Sequence, residues 1–424
     1  MKAEVLALAD VDENLIRCRW EDSLTAYVLP RPGFVRKYAS LTTNFGSIDR
    51  AFTGADGHCH HVPAGAAHFL EHKMFEDPSR PVLDRFADLG ASANAYTSYE
   101  VTSYLFSCAD DFPRCLDLLL DFVRGAHFTR EGIEKEKPII EQEIRMGLDS
   151  PHRTIMYNLR RLLYQRHPIR DDIAGTVESV RSTTYEDLEL CYQAFYHPAN
   201  LVLFVAGDVQ PEAVLEQVDR HLARQPGGPA PVLKRERVEE PAALAGGRAE
   251  ERMAVAIPLL AFGYKDPAPG QGREGLRRRV AGEMALEMVM GRSSDLFHHL
   301  YRDGLIDDTF GGSYSGGRDW AFTAFMGRTS DPYTLASRLR EGMATAAWTP
   351  GDLERCRRAS LGQFVSFFDS LEAPAYVVTD LHFEGLELAD YYRALREVDE
   401  GDVRRYQAEA WREEAAATSV VLPK

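Results

Sequence analysis

Near the middle of the chain, from Gln225 to Gly247, the sequence stops reading as core. It opens Gln225-Pro226-Gly227-Gly228-Pro229-Ala230-Pro231, continues through a charged run from Lys234 to Glu240, and ends at Gly247. Proline fixes φ and glycine loosens it, so this stretch is expected to be an extended linker. Set centrally in 424 residues, it predicts two bodies, 1–224 and 248–424, joined by 225–247 and each long enough for its own core. The two bodies share a pattern. Leu83-Asp84-Arg85-Phe86-Ala87-Asp88-Leu89-Gly90 and Phe297-His298-His299-Leu300-Tyr301-Arg302-Asp303-Gly304 are both amphipathic helices stopped by glycine. Phe128-Thr129 and Trp348-Thr349 each set a threonine as N-cap before a charged helical run. Two anchors in the same order predict a diverged internal repeat.

Shorter patterns fill in each body. Strand-like runs occur at Leu41–Phe45, Thr102–Cys108, Asn200–Ala206 and Leu259–Tyr264. Helical runs occur at Ala64–Phe75, Phe112–Arg124, Ile133–Met146, Tyr185–Tyr196 and Pro211–Ala223. Strands, then helices, then strands in each half favour an α+β fold over regular βα alternation. Charge narrows the function: 49 Lys plus Arg against 65 Asp plus Glu give −16, which disfavours nucleic acid and anionic membranes as partners. No run of about 18 apolar residues is present. The acidic start has no apolar signal region, and the six dispersed cysteines, none in a CxxC, read as reduced thiols. A cytoplasmic location is expected.

Chemistry concentrates in Pro63-Ala64-Gly65-Ala66-Ala67-His68-Phe69-Leu70-Glu71-His72. Proline suits a helix start, and alanine and leucine continue it. His68 and His72 then project from one face and can share a zinc ion, with Glu71 in reach of the metal's water. This is HxxEH, the inverse of the HExxH order. A catalytic zinc needs a third ligand and keeps one position open. The helical run Glu134–Met146 offers Glu136 and Glu143, seven apart and so on one face. Glu143 suits the ligand, and Glu136 suits the acceptor that orients a ligand histidine. Pro138 between them is expected to kink the helix, with Glu141 as the fallback ligand.

These residues belong to a longer ordered series. After His68–His72 come Gly90-Ala91-Ser92-Ala93-Asn94-Ala95-Tyr96-Thr97-Ser98, Gln142-Glu143-Ile144, Gly175-Thr176 and Phe195-Tyr196-His197-Pro198-Ala199-Asn200. In this series the chain resembles the bacterial short-chain branch of the pitrilysin-type zinc peptidases, or inverzincins. That family includes insulin-degrading enzyme and the mitochondrial processing peptidase. The likeness covers almost all of the first half and is weaker in the second. It implies two homologous α/β-sandwich halves, antiparallel-rich sheets packed with helices, that form half of a clamshell chamber. It also implies one zinc per chain on His68, His72 and Glu143, with Glu71 as general base and Glu136 in support. Asn94 and Ala95 match the edge-strand segment that holds the substrate backbone. The implied activity is zinc-dependent endoproteolysis of extended peptides or unfolded protein segments. The alternative is a non-hydrolytic scaffold or peptide-binding subunit.

The second half lacks the site. Aligned on Gly90 and Gly304, it sets Gly282, Ala285 and Leu286 opposite His68, Glu71 and His72; aligned on Thr129 and Thr349, it sets Gln363 opposite Glu143. Many family members bring an Arg and a Tyr, seven residues apart, from this half to the substrate carbonyl. Leu300 and Asp307 hold those positions here, which leaves Tyr301, Arg302 and Tyr314 as the available substitutes. Both absences suit a heterodimer, in which this chain bears zinc and a zinc-free homologous subunit supplies the Arg–Tyr pair. A homodimer is the other option. Gly57-His58-Cys59-His60-His61 is expected to be a surface loop, and Gly311 to Gly317, without a phosphate-loop lysine, a turn between strands.

Overall fold

The computed structural model describes residues 2–8, 13–54, 56–77, 80–225, 227–230 and 232–424; Pro226 and Pro231 of the expected linker lie outside the described residues. The chain forms two compact units. The first comprises Met1–Ile144, Asp172–Arg237 and Phe367–Phe383; the second comprises Arg145–Asp171, Val238–Ser366 and Glu384–Lys424. The units interleave along the chain instead of following the contiguous segments 1–224 and 248–424.

The first unit is built on a seven-stranded sheet. Its order is Lys2–Leu8, Glu13–Arg19, Thr25–Pro30, Leu201–Gly207, Lys37–Thr43, Thr102–Cys108, Ser92–Thr97. All neighbours run antiparallel except Thr25–Pro30 with Leu201–Gly207. Leu201–Gly207 lies in the interior of the sheet, which explains its unbroken apolar sequence: every residue in it is buried. Ser92–Thr97 is an edge strand, partly exposed along its length. The helix Phe112–Arg124 packs Cys115, Leu116, Leu119, Leu120 and Val123, an i, i+4, i+8 stripe with its neighbours, onto Lys37–Thr43 and Thr102–Cys108.

The second unit carries a five-stranded sheet ordered Arg248–Met253, Ala416–Pro423, Leu259–Asp266, Ala321–Arg328, Gly311–Gly316. Strand for strand this repeats Thr25–Pro30, Leu201–Gly207, Lys37–Thr43, Thr102–Cys108 and Ser92–Thr97. Chain order, neighbours and directions match, with the single parallel pair in the same place. The helix stops match too. Ala91 N donates to Phe86 O and Leu305 N to Leu300 O, each at 3.0 Å, and Gly90 and Gly304 have φ of 67° and 68°. Both glycines close a left-handed helix cap that a side chain would strain. The internal repeat is therefore written in the backbone.

One helix from each half is exchanged. Pro151–Leu163 packs on Leu259–Asp266 and Ala416–Pro423 within the second unit. Ala373–Phe383 packs on Leu201–Gly207 within the first. The apolar stripe Ile155, Leu159 and Leu163, fully buried, supplies the grip of the former. Nor is the expected linker a free spacer. Lys234–Arg235 pairs with Ala51–Thr53, and Arg235 Nε donates to Asp49 Oδ1 at 2.7 Å. Glu240 accepts the backbone N–H groups of Gln165, Arg166 and His167 at 2.8 Å and the ammonium of Lys265 at 2.5 Å. The charged run within the expected linker is thus a set of anchors. Three further expectations shift. The strand read at Leu41–Phe45 occupies Lys37–Thr43. Cys59–His61 is a short strand paired with Ala51–Thr53, not a loop. Gly311–Gly316 is an edge strand, not a turn, and needs glycine because a Cβ on Gly312 would lie 2.7 Å from the Phe325 ring. Among the described residues no helix is long and apolar enough to cross a membrane.

Candidate metal centre

The histidine helix, Ala66–Met74, starts where two backbones nearly touch. Gly65 has a φ of +86°, and a Cβ there would lie 2.3 Å from the Ala174 carbonyl oxygen. Gly175, with a φ of +79°, would meet the Ala64 oxygen at 2.4 Å. Only glycine fits either place. Ser179 Oγ donates to the same Ala64 oxygen at 2.7 Å, and Thr176 and Ser179 form a capping box. The Gly175-Thr176 motif therefore fixes the entry to the helix. Within it Phe69 and Leu70 are fully buried, so His68, Glu71 and His72 occupy the opposite, half-buried face.

The second helix runs unbroken from Arg130 to Leu148, through Pro138. Thr129 Oγ1 caps it, accepting Gly132 N at 3.0 Å, and Ile133, Ile140 and Ile144 anchor it in the core. Because the helix continues past Pro138, the seven-residue spacing holds and brings Glu136 and Glu143 together against the histidines. His68 Nε2 lies 3.1 Å and His72 Nε2 3.5 Å from Glu143 Oε2. One ligand atom from each of the three residues falls within 4.8 Å of the others. Two imidazole nitrogens and a carboxylate oxygen suit a divalent cation such as zinc with a position left open. Among the described residues no other group of three such side chains converges in this way. His72 Nδ1 donates to Glu136 Oε1 at 3.0 Å, which turns its Nε2 toward Glu143.

Glu71 sits at the same place. Its Oε2 accepts the Thr97 hydroxyl at 2.5 Å and lies 3.5 Å from His68 Nδ1. Thr97 ends the edge strand, so the carboxylate and the strand are joined directly. Asn94 and Ala95 lie on that strand, opposite Leu105 and Tyr104, and Asn94 Oδ1 accepts Ala95 N at 2.9 Å. The strand has one sheet neighbour. Thr97 has no sequence signal of its own, because its partner lies 26 positions away.

Electrostatics follow from the contacts. Burial disfavours charge on both rings, yet carboxylates outweigh it. His68 is raised by Glu143 and Glu71, and His72 is raised to about 9 by Glu136 and Glu143. Hydrogen bonds from His68 and His72 hold Glu143 well below the ordinary carboxylate range. The bond from His72 also lowers Glu136, against burial. The centre draws positive charge to itself, a preference that a divalent cation meets with neutral rings.

The remaining candidates fall elsewhere. Glu141 turns away and forms a two-pronged pair with Arg181, both bonds 2.8 Å, so the fallback ligand is not at the centre. His60 pairs with Asp56 at 2.9 Å, and Cys59 Sγ meets His61 at 3.8 Å, without a third convergent group. The Phe195–Asn200 motif is structural: Asn200 Nδ2 donates to Phe195 O at 2.7 Å, and Tyr196 and Tyr104 share a buried 2.8 Å hydroxyl bond. In the second unit Gly282, Ala285 and Leu286 are buried, and Gln363 is exposed. Leu300 is fully buried, and Asp307 accepts the N–H and O–H of Thr309 at 2.9 and 2.5 Å. Neither can donate to a substrate carbonyl. Tyr301 and Arg302 are exposed at the end of the helix Asp295–Arg302, and Tyr314 lies on the edge strand Gly311–Gly316.

Comparison with known proteins matches both halves of the sequence to one family. Residues 57–177 match the family described as Insulinase (Peptidase family M16), and residues 182–359 match the Peptidase M16 inactive domain. YmfH of Bacillus subtilis, described as an uncharacterized zinc protease, is 37% identical over 98% of this chain and 98% of its own. The beta subunit of the mitochondrial-processing peptidase of Neurospora crassa is 30% identical over 38% of this chain and 35% of its own. The crystal structure of an M16-like peptidase from Alicyclobacillus acidocaldarius superposes with a TM-score of 0.93 at 35% identity, covering 99% of this chain and 100% of the other. A protease from Helicobacter pylori shares the fold, with a TM-score of 0.82 at 18% identity over 97% and 100% of the two chains. With one full-length relative at this identity and both halves matched, the chain belongs to the M16 family of peptidases, the insulinase group.

Proposed function

We propose that this chain is a zinc-dependent endopeptidase that hydrolyses extended peptides or unfolded segments, and that it is the zinc-bearing subunit of a two-chain enzyme. The observation that carries the reading is the convergence of His68 Nε2, His72 Nε2 and Glu143 Oε2 beside Glu71. His68, His72 and Glu143 would hold the metal, one per chain. Zinc bound there supplies Lewis acidity toward water and the scissile carbonyl. Glu71, held by Thr97, takes the proton of the attacking water and passes it to the leaving amine. Glu136 keeps His72 in the tautomer that presents Nε2. The strand Ser92–Thr97, through Asn94 and Ala95, aligns an extended peptide by strand addition, so main-chain bonds supply affinity.

A second reading, a non-hydrolytic peptide-binding subunit, draws on Leu300 and Asp307 in the Arg and Tyr positions. The same absence supports a partner that supplies the pair, since one missing oxyanion donor costs about 10²–10³ in rate. Relatives named as subunits of a processing peptidase are in keeping with a two-chain enzyme. The test is hydrolysis of a mixture of unstructured peptides by the purified chain, zinc-loaded and zinc-stripped, read by mass spectrometry. Zinc-dependent cleavage that falls about 10²–10⁴-fold in Glu71→Gln, with zinc retained, is the expected result. Cleavage unchanged by Glu71→Gln would defeat the mechanism. Full zinc without cleavage, even when a zinc-free homologue is added, would favour the binding subunit.

A further inference from the structure

Behind the metal centre lies a lysine that no residue pattern marks. Lys73 follows His72, and its side chain is 0% exposed. A buried ammonium is costly unless it is paired and hydrogen-bonded. Its partners come from both helices of the site. Nζ donates to the Gly132 carbonyl at 3.0 Å and lies 3.6 Å from Glu136 Oε2, both on the helix Arg130–Leu148. It also pairs with Glu76, just past the end of its own helix. Gly132 makes the room, because a Cβ there would stand 2.6 Å from a Glu76 carboxylate oxygen. The other oxygen of Glu136, Oε1, is the one that accepts His72 Nδ1–H at 3.0 Å. Glu136 is thus gripped from two sides, by the ammonium on one oxygen and by the imidazole on the other.

We propose that Lys73 is a positioning residue for the metal centre. It fixes the carboxylate of Glu136, ties the histidine helix to the glutamate helix at Gly132, and so sets the direction in which His72 presents Nε2. The inference rests on the zinc-site reading above. One feature favours it over a purely structural role. A glutamate anchored by a single hydrogen bond is free to swing about its last torsion, whereas this one is held at both oxygens. Replacing a whole buried ion pair by apolar residues is often neutral for stability, so the cost of losing Lys73 alone is the charge it strands on Glu136 and Glu76, and the paired removal of Lys73 and Glu136 is the informative comparison.

The test measures zinc affinity by chelator competition and the melting temperature of the metal-free protein. It uses the full chain as wild type, Lys73→Met, Glu136→Gln and the double variant. Lys73→Met is expected to weaken zinc binding about tenfold, as loss of outer-shell support does, and to lower the metal-free melting temperature, because it strands the carboxylates of Glu76 and Glu136; the double variant should recover part of that loss of stability. The double variant should bind no more weakly than Glu136→Gln alone, because Lys73 acts through Glu136. Unchanged affinity in Lys73→Met, or losses that add in full, would overturn the role; so would a lower metal-free melting temperature with affinity intact. If Lys73→Met does not fold, Lys73→Gln, which removes the charge but keeps a donor, carries the same comparison. A wild-type chain that binds no zinc would defeat the zinc-site reading itself. A wild type that binds zinc tightly with Lys73→Met unaffected would defeat the positioning role alone.

Discussion

The two units carry the same five strands and use the first helix between the second and third of them, in chain order, in opposite ways. In the first unit, Ala66–Met74 buries Phe69 and Leu70 and leaves His68, Glu71 and His72 half-buried on a polar face. In the second, Gly272–Met290 has glycine, alanine and leucine at the corresponding register. Ala285 and Leu286 are buried, and a Cβ on Gly282 would lie 2.8 Å from the Tyr406 ring. The Tyr406 hydroxyl in turn donates to Asp266 at 2.7 Å, as does Thr323, also at 2.7 Å. At that register the helix of the second unit is packed as core. The contrast teaches what the centre costs: it holds open a face that the same fold otherwise fills with apolar packing.

That comparison can be broken at several points. The sharpest is the glutamate helix. Glu143→Ala is expected to abolish zinc binding, whereas Glu141→Ala, two residues away, should keep full zinc content; metal analysis of both variants decides. Loss of zinc in the Glu141 variant would mean that the helix faces differently. Next comes backbone strain. Gly65→Ala must adopt a left-handed φ and approach the Ala174 carbonyl, and should lower stability by at least about 1–3 kcal/mol and weaken zinc binding. Gly282→Ala, by overpacking against Tyr406, should cost up to about 1–3 kcal/mol and leave zinc affinity unchanged. Denaturant curves with zinc titrations separate the two, and a drop in affinity in the second variant would deny that the units divide the labour.

The mildest test concerns pH. Burial raises Asp266 from 3.8 to about 7, against hydrogen bonds from Tyr406 and Thr323. The folded protein therefore binds this proton more tightly than the unfolded chain does. The contribution of this group to stability is fullest below about pH 4, falls as pH rises through about 7, and then levels off. Asp266→Asn should remove about 1 kcal/mol of that decline between about pH 6 and 7.5. Melting at the two pH values, with wild type in parallel, would show parallel slopes if Asp266 were not responsible.

The legible parts of the molecule were those with local patterns. Thr102–Cys108 and Phe112–Arg124 have the bounds their periodicity predicts, and the glycine stops at Gly90 and Gly304 mark the repeat. His68, His72, Glu136 and Glu143 could be assembled from helical spacing. What escaped was whatever depends on distant partners. Pro138 was expected to kink the helix because its cost is local, while the burial of Ile140 and Ile144, which anchors the helix beyond it, depends on distant partners. The charged run at Lys234 to Glu240 reads as extended linker because Asp49, Lys265 and the backbone at Gln165 to His167, its partners, lie elsewhere in the chain. Lys73 carries no local pattern that marks it as buried. Its burial follows from the approach of the second helix at Gly132, and nothing near it in the sequence announces that approach.

The helix exchange carries a consequence of its own. The chain passes between its units at 144–145, 171–172, 237–238, 366–367 and 383–384, so the peptide link in the middle is one crossing among five. Each half of the sequence holds a piece that the other requires: Pro151–Leu163 covers the later sheet and Ala373–Phe383 the earlier one. A nick at Gly227-Gly228 would therefore yield two fragments, each lacking a helix that its own sheet uses. A fragment that ended before Ala373 would keep every strand of the earlier sheet and still lack a helix that covers it.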